Sequence, residues 1–310
     1  MTLAAASALA LAGCAGTAAG GDGGPVAVVA STSAYGQIAE AIGGDLVDVT
    51  PIISSAAQDP HSFEPSARDQ LAVRHADLVI ENGGGYDAFV DALIEASGSK
   101  SPVLTAVEFS WDWPGGAATE SADGHDDHDQ DHGHIDGFNE HVWYDVQAMG
   151  ALAQGIQSQL EVLDPGHAAE FATNLDAFMA GIAELEDRLA RIDEAHGGTE
   201  IFVTEPLPLH LTDAAGLVDV APDDFTQAVE EGQDVAPATL LEALKLLRSD
   251  DVAIVIVNAQ TGGTETTLVL GEADAQSVPV LEFAETLPAG DSYIEWMQAN
   301  IAALTDGLAQ

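Results

Sequence analysis

Apolar positions fall into two rhythms along this chain. Short, nearly unbroken apolar runs occupy 26–31 (VAVVAS), 46–53 (LVDVTPII), 78–81 (LVIE) and 103–107 (VLTAV). Their Val-rich character is that of strands buried on both faces, as in parallel sheets. Helical stretches separate them, at 35–42, closed by Gly43-Gly44, and at 86–96, after a turn over 82–85. The alternation restarts near residue 200, with strands at 200–204 (EIFVT), 252–257 (VAIVIV) and 278–283 (VPVLEF). Helices are expected at 209–215, stopped by Gly216, at 265–277, and as an amphipathic terminal segment over 293–308. Strands alternating with helices imply parallel pairing, so the chain reads as two doubly wound α/β lobes.

Between the lobes the rhythm changes to helical. Phe171, Leu175, Phe178, Ile182, Leu185, Leu189 and Ile192 are spaced 4, 3, 4, 3, 4, 3, one continuous stripe on a helix. Asp164 is placed to cap its start, Pro165 stands at the first helical position, and Gly197-Gly198 ends it. About 30 residues at 1.5 Å each span roughly 45 Å, enough to cross a two-lobed molecule. A coiled-coil dimer is the other use of such a stripe. With no second stripe beside it, an intramolecular spine is expected. Residues 116–138 break the pattern altogether: they are mostly Gly, Asp, His, Ala and Ser, with almost no large apolar side chain. A loop of that length is either functional or disordered.

The chain has 310 residues, enough for two ordinary domains, and its 46% apolar content allows a real core. Lys and Arg total 7 against 52 Asp and Glu, a net charge of −45 spread along the whole length. That balance leaves no electrostatic footprint for nucleic acid and repels bare anionic lipid. A strongly charged, solvated surface of this kind fits a salt-rich habitat. The single cysteine excludes a disulfide framework and a cysteine-based zinc finger. It lies at the end of TLAAASALALAG (2–13), an apolar run too short to span a bilayer that fits the core of a secretion signal without its basic start. The true start is then upstream of Met1. Leu11-Ala12-Gly13-Cys14 resembles a bacterial lipobox, which makes Cys14 the lipidated first residue of the mature protein. The plain alternative is a free or buried thiol. Residues 15–25 form a flexible tether. The expected organisation is 1–14 lipoprotein signal, 15–25 tether, 26–163 first lobe, 164–197 spine helix and 198–310 second lobe, in a protein exported and anchored by lipid on the outer face of a bacterial membrane.

Four places at or after strand ends hold hard or borderline metal ligands: Asp59-Pro60-His61, the run from Asn139 to Asp145 with His141, Thr204-Glu205-Pro206, and Ala284-Glu285-Thr286. In open α/β sheets ligands bind beyond the carboxyl ends of the strands. Two groups from each lobe would put a metal in the cleft between them, and two imidazoles with two carboxylates suit zinc or manganese. Each place alone also has an ordinary reading, as a loop histidine or a solvated acid.

Taken together, these features resemble the zinc/manganese substrate-binding lipoproteins of bacterial ABC transporters, the TroA/ZnuA type, from Val26 to the C-terminus. Asp59-Pro60-His61 with Phe63-Glu64-Pro65-Ser66 is similar to the family's first ligand motif, and His141-Val142-Trp143 to its second. Glu205 stands where the family has His or Glu, and Glu285, ahead of Gly290-Asp291-Ser292-Tyr293, where it has Asp or Glu. The ligand set implied by the resemblance is His61, His141, Glu205 and Glu285. His210 is an alternative third ligand, and Asp291 or water an alternative fourth. The long helix is similar to the family's rigid connector, implying small rocking or loop movement instead of wide closure.

A two-carboxylate set leans toward manganese. The loop leans the other way: His125, His128, His132 and His134 alternate with aspartates, a composition that binds zinc, copper or nickel loosely, and it resembles the His/Asp-rich loop of the zinc-type members. The expected cargo is Zn²⁺, with Mn²⁺ as the alternative, collected by the loop and delivered to a membrane permease by a monomeric receptor. A closed ligand shell suits capture. A secreted zinc hydrolase would need an open water position and a general base, and no His-Glu-x-x-His or Gly-x-Ser-x-Gly run is present. An adhesin is a third class, with no repeat array or aromatic patch behind it. His75, His167 and His196 read as surface or capping residues. Trp111, Trp113 and Trp143 read as packing near the cleft and loop, with Trp143 as a wall of the site.

Overall fold

The structure is a computed structural model that describes residues 24–55, 57–58, 63–115, 135 and 137–310. Cys14, His61 and the loop histidines 125, 128, 132 and 134 lie outside the described residues. Two four-stranded parallel sheets form the lobes. In the first, β1 (Val26–Thr32), β2 (Val47–Ile53), β3 (Leu78–Glu81) and β4 (Val103–Thr105) stand in the order β2-β1-β3-β4. In the second, β5 (Glu200–Val203), β6 (Val218–Asp219), β7 (Ile254–Asn258) and β8 (Val280–Phe283) stand in the order β6-β5-β7-β8. The two orders are the same when strands are counted within each lobe. Pro51 is tolerated because β2 is an edge strand, paired only with β1.

Helices link the strands: α1 (Ser33–Gly43), α2 (Ala67–His75) and α3 (Phe89–Ser97) in the first lobe. After α4 (Val146–Leu163) and α5 (Ala168–His196), the second lobe has α6 (Leu209–Ala214), α7 (Asp223–Glu230), α8 (Pro237–Leu246) and α9 (Thr264–Gln276), and α10 (Tyr293–Leu308) closes the chain. No helix among the described residues is long and apolar enough to cross a membrane.

Alternate residues of each central strand face different cores. Val26, Val28 and Ala30 of β1, Ile201 and Val203 of β5 and Ile254 and Ile256 of β7 all face one apolar cluster with the stripe of α5 and the buried faces of α1, α4 and α10. Their neighbours face outward: Val29 joins Ile53 and Val79 under α2 and α3, while Phe202, Val255 and Val257 join Phe225 and Ala243 under α7, α8 and α9. The central core therefore runs unbroken through both lobes, and each lobe keeps a smaller core of its own.

The spine is α5, 29 residues long, with Phe171, Phe178, Ile182, Leu185, Leu189 and Ile192 buried. Its start differs from the sequence expectation. Pro165–His167 form a 3-10 turn, the helix begins at Ala168, and Asp164 bonds His167 Nδ1 at 2.6 Å without capping the backbone. The Pro165 ring takes the first position of the tight turn because its φ suits either helix. The spine is also not a lone stripe. The 18-residue α4 packs along it, capped by Asp145, whose carboxylate accepts from the Gln147 and Ala148 amides at 3.0 Å. Gly216 ends the α6 turn at φ +70°, where a Cβ would lie 1.9 Å from Asp193 Oδ1 of α5, so only glycine fits.

Candidate metal centre

Both sheets are parallel, so the residues that follow their strands gather at one edge of each lobe, and the interlobe cleft is built from them. In the second lobe, Glu205 lies two residues beyond β5, Glu285 two beyond β8, and Asn258 ends β7, the strand between them. Strand order thus fixes the geometry. Asn258 Nδ2 donates to Glu205 Oε2 and to Glu285 Oε1, both at 2.8 Å. Thr261 Oγ1 donates to the other oxygen of Glu205. Gln260 Oε1 accepts from the Glu285 amide at 2.8 Å and the Thr286 amide at 3.0 Å, which holds the loop after β8 against the loop after β7. Glu205 is 4% exposed and Glu285 2%. Two carboxylates brought this deep to one amide are costly as bare charges.

The first lobe supplies an aromatic wall and an imidazole. Gly83 takes φ +78° in the turn after β3, where a Cβ would lie 2.4 Å from Thr105 Cγ2. Asp87 accepts from the Asn82 and Gly83 amides at 2.7 and 2.8 Å, fixing that turn, and burial raises its carboxyl above the usual range. The turn delivers Tyr86, whose hydroxyl donates to Glu285 Oε2 at 3.2 Å across the cleft. Burial first, and then the Glu285 charge, push the Tyr86 hydroxyl well above its ordinary pKa, so it stays a donor. Asn82 Nδ2 donates to the Glu140 carbonyl at 3.0 Å and ties the His141 segment to the same turn.

His141 is 1% exposed, its ring 6.0 Å from that of Tyr86 and 5.1 Å from that of Trp143. Asn139 sets its tautomer. The Asn139 amide nitrogen donates to the Pro206 carbonyl at 3.0 Å, so its Oδ1 faces His141 Nδ1 at 2.7 Å and accepts a hydrogen bond from it. Nε2 is then the ring nitrogen turned away from Asn139, the orientation a metal-ligating histidine adopts.

The structure brings Glu205 and Glu285 together on Asn258, and Tyr86 joins Glu285 to the face beside His141. It also gathers two acids that the sequence patterns do not single out. Ligand atoms of Glu140, His141 and Glu230 lie within 4.8 Å of one another, and Glu230 Oε1 is 3.5 Å from His141 Nε2. Glu140 is adjacent to His141 in the chain, a signal that was available. Glu230 ends the short α7, an eight-residue helix that the strand and stripe patterns do not single out. His210 faces the other way, with Nε2 2.8 Å from the Asn139 carbonyl, and Asp291 is exposed. Trp143 is buried as a wall and Trp113 packs on Phe138 at 5.0 Å, but Trp111 is 86% exposed.

A two-lobed α/β receptor with carboxylates and an imidazole facing each other across a buried cleft is a binding protein for divalent metal. Residues 28–307 match the family described as zinc-uptake complex component A, periplasmic (ZnuA), and the chain belongs to that family. Its members are solute-binding proteins and not enzymes. The chain is 26% identical over 301 residues to the manganese-binding lipoprotein MntA of Halalkalibacterium halodurans, covering 93% of this chain and 90% of that one. It is 24% identical over 277 residues to the zinc-binding lipoprotein AdcA of Streptococcus pneumoniae, covering 86% and 53%. The fold is shared with the laminin-binding protein Lmb of Streptococcus agalactiae, described as a bifunctional protein with adhesin and metal-transporting activity. Its TM-score is 0.70, at 22% identity over 92% of this chain and 99% of that one.

Proposed function

We propose that this chain captures Zn²⁺ in the interlobe cleft, with His61, His141, Glu205 and Glu285 as ligands, and delivers it to the membrane permease of an ABC importer. The observation that carries the reading is the pair of buried carboxylates on the Asn258 amide, with Tyr86 bonded to one of them and packed beside His141, whose Nε2 is turned outward from its Asn139 anchor. Such a constellation is stabilised by a cation that replaces lost hydration with direct bonds. His210 is the less favoured third ligand, because its Nε2 is directed at a carbonyl. The histidines 125, 128, 132 and 134 act as a collector that feeds the cleft. Cys14 carries the lipid that keeps a monomeric receptor beside its permease, on the outer face of the membrane.

A second reading, Mn²⁺ as cargo, is favoured by the oxygen-rich donors of the second lobe. A competition titration of Zn²⁺ against Mn²⁺ separates the two. It uses full-length protein in detergent and a variant in which His125, His128, His132 and His134 are replaced by Asn. One tight site that prefers zinc in both proteins supports the first reading. A manganese preference supports the second. No tight site for either ion overturns both.

A further inference from the structure

We propose that Glu230 is an additional oxygen ligand to the cargo ion, supplied from α7 across the cleft. Its Oε1 stands 3.5 Å from His141 Nε2, with the two side chains 12% and 2% exposed. That distance is long for an N–H···O hydrogen bond, which centres near 2.9–3.0 Å. Two donors each about 2.1 Å from one ion lie about 3.4 Å apart at a tetrahedral angle and about 3.0 Å apart at a right angle. The observed spacing matches donors that share an ion. With Nδ1 turned to Asn139 Oδ1, Nε2 is the ring nitrogen that faces the Glu230 carboxylate, and ligand atoms of Glu140, His141 and Glu230 lie within 4.8 Å of one another.

The position of Glu230 points the same way. It is the last residue of α7, at the negative end of the helix dipole, where an acid is disfavoured. It comes from the second lobe, whereas His141 comes from the first, so a shared ion would bridge the lobes through one donor more than the two acids held by Asn258. The inference rests on His141 being a cargo ligand. It adds a donor that takes the site beyond four ligands and so sets how well it holds an ion of higher coordination number, such as Mn²⁺, against tetrahedral Zn²⁺.

The test compares Glu230→Gln, which keeps shape and removes charge, with Glu231→Gln, a neighbouring acid outside the cluster. Both are made in the full-length chain lacking the four loop histidines. Zn²⁺ and Mn²⁺ affinities come from competition titration, coordination number from the visible spectrum of the Co²⁺-loaded protein, and folding from thermal melts. The expected result is a loss of about tenfold or more in affinity for Glu230→Gln. The loss should be larger for Mn²⁺ than for Zn²⁺, the cobalt spectrum should change, and Glu231→Gln should behave as the parent. Affinities and cobalt spectrum equal to the parent's in a folded Glu230→Gln protein overturn the proposal. So does an affinity loss with an unchanged spectrum, which marks Glu230 as a positioning residue only. A parent that binds no metal fails the capture reading itself, a different result from a parent that binds and a variant that binds equally well.

Discussion

The two lobes share one strand order and differ in what they offer the cleft. Counted within each lobe, both sheets run second, first, third, fourth strand. Beyond the strand ends of the first lobe stand Tyr86, His141 and Trp143, held by backbone and amide contacts around Asn82 and Asn139. Beyond those of the second stand Glu205 and Glu285, held by Asn258, Gln260 and Thr261. Topology decides where a ligand can sit; in the second lobe the chemistry comes two residues past β5 and β8, in the first from the turn after β3 and the segment just before α4. One lobe gives a borderline nitrogen donor with aromatic walls, the other gives hard oxygen donors.

The largest effect that could break this division comes from removing its two halves separately. His141→Ala should weaken Zn²⁺ binding on the order of a hundredfold, while Glu205→Ala or Glu285→Ala should cost Mn²⁺ more than Zn²⁺. Competition titrations of the three variants check this, and equal losses for both metals in all three would dissolve the distinction between the lobes.

Next in size is the amide between the carboxylates. Asn258→Leu removes two donors to charged oxygens and should lower the stability of the metal-free protein by about 3 kcal/mol. Saturating Zn²⁺ should restore much of it, because the ion binds only the folded state. Thermal melts with and without metal read both quantities.

Each lobe also holds an acid, buried in the first and half-buried in the second, whose pKa is raised by loss of hydration. Glu81 in the first is pushed up to about 7, mainly by burial and then by Asp87, and Asp219 in the second to about 6, mainly by burial. A raised carboxyl binds its proton more tightly in the folded state, so stability is highest at low pH and falls as pH rises through the interval. Glu81→Gln should therefore be neutral at pH 4 and stabilising by on the order of 3 kcal/mol at pH 8. Asp219→Asn should act in the same direction, less strongly, with its gain complete nearer pH 7. Metal affinity should run the opposite way, falling below about pH 6.5 as imidazoles protonate. Melting curves over pH 4 to 8, with and without Zn²⁺, separate the two trends.

The smallest effect belongs to the closing helix. Ser292 and Glu295 form a reciprocal cap at the start of α10. Ser292→Ala should cost about 1 kcal/mol in a melt and leave both metal affinities unchanged.

The strands and the spine are legible in the sequence because their signals are dense. A run of consecutive apolar residues such as VAIVIV at 252–257 does not fit an exposed loop, and a seven-membered stripe fits only a helix. The helix α4 escapes notice because its buried face mixes Ala148, Gly150 and Ala153 with Met149, Leu152 and Ile156, which blurs the 3.6-residue period. The short α7 buries only Phe225 and Thr226, too little for a pattern. At the cleft, His141, Glu205 and Glu285 can be picked out by type and by place after strands. Asn258 cannot, since an asparagine ending a strand is ordinary until the strands on either side are known to end in acids. Glu230 is hidden for a related reason: its closeness to His141 spans the two lobes and leaves no trace in local spacing.

The choice of an amide at residue 258 also bears on how cargo leaves. An arginine there would tie the two carboxylates together just as firmly, but it would be a permanent rival to any arriving ion and would have to be pushed aside on every cycle. An amide has no charge to displace. It can hold the two acids at a fixed separation without neutralising them, and so leaves their attraction for the ion that the proposed ligand set would take. On the ligand set proposed above, the emptied cleft keeps its two acids in place with this chain's own amide.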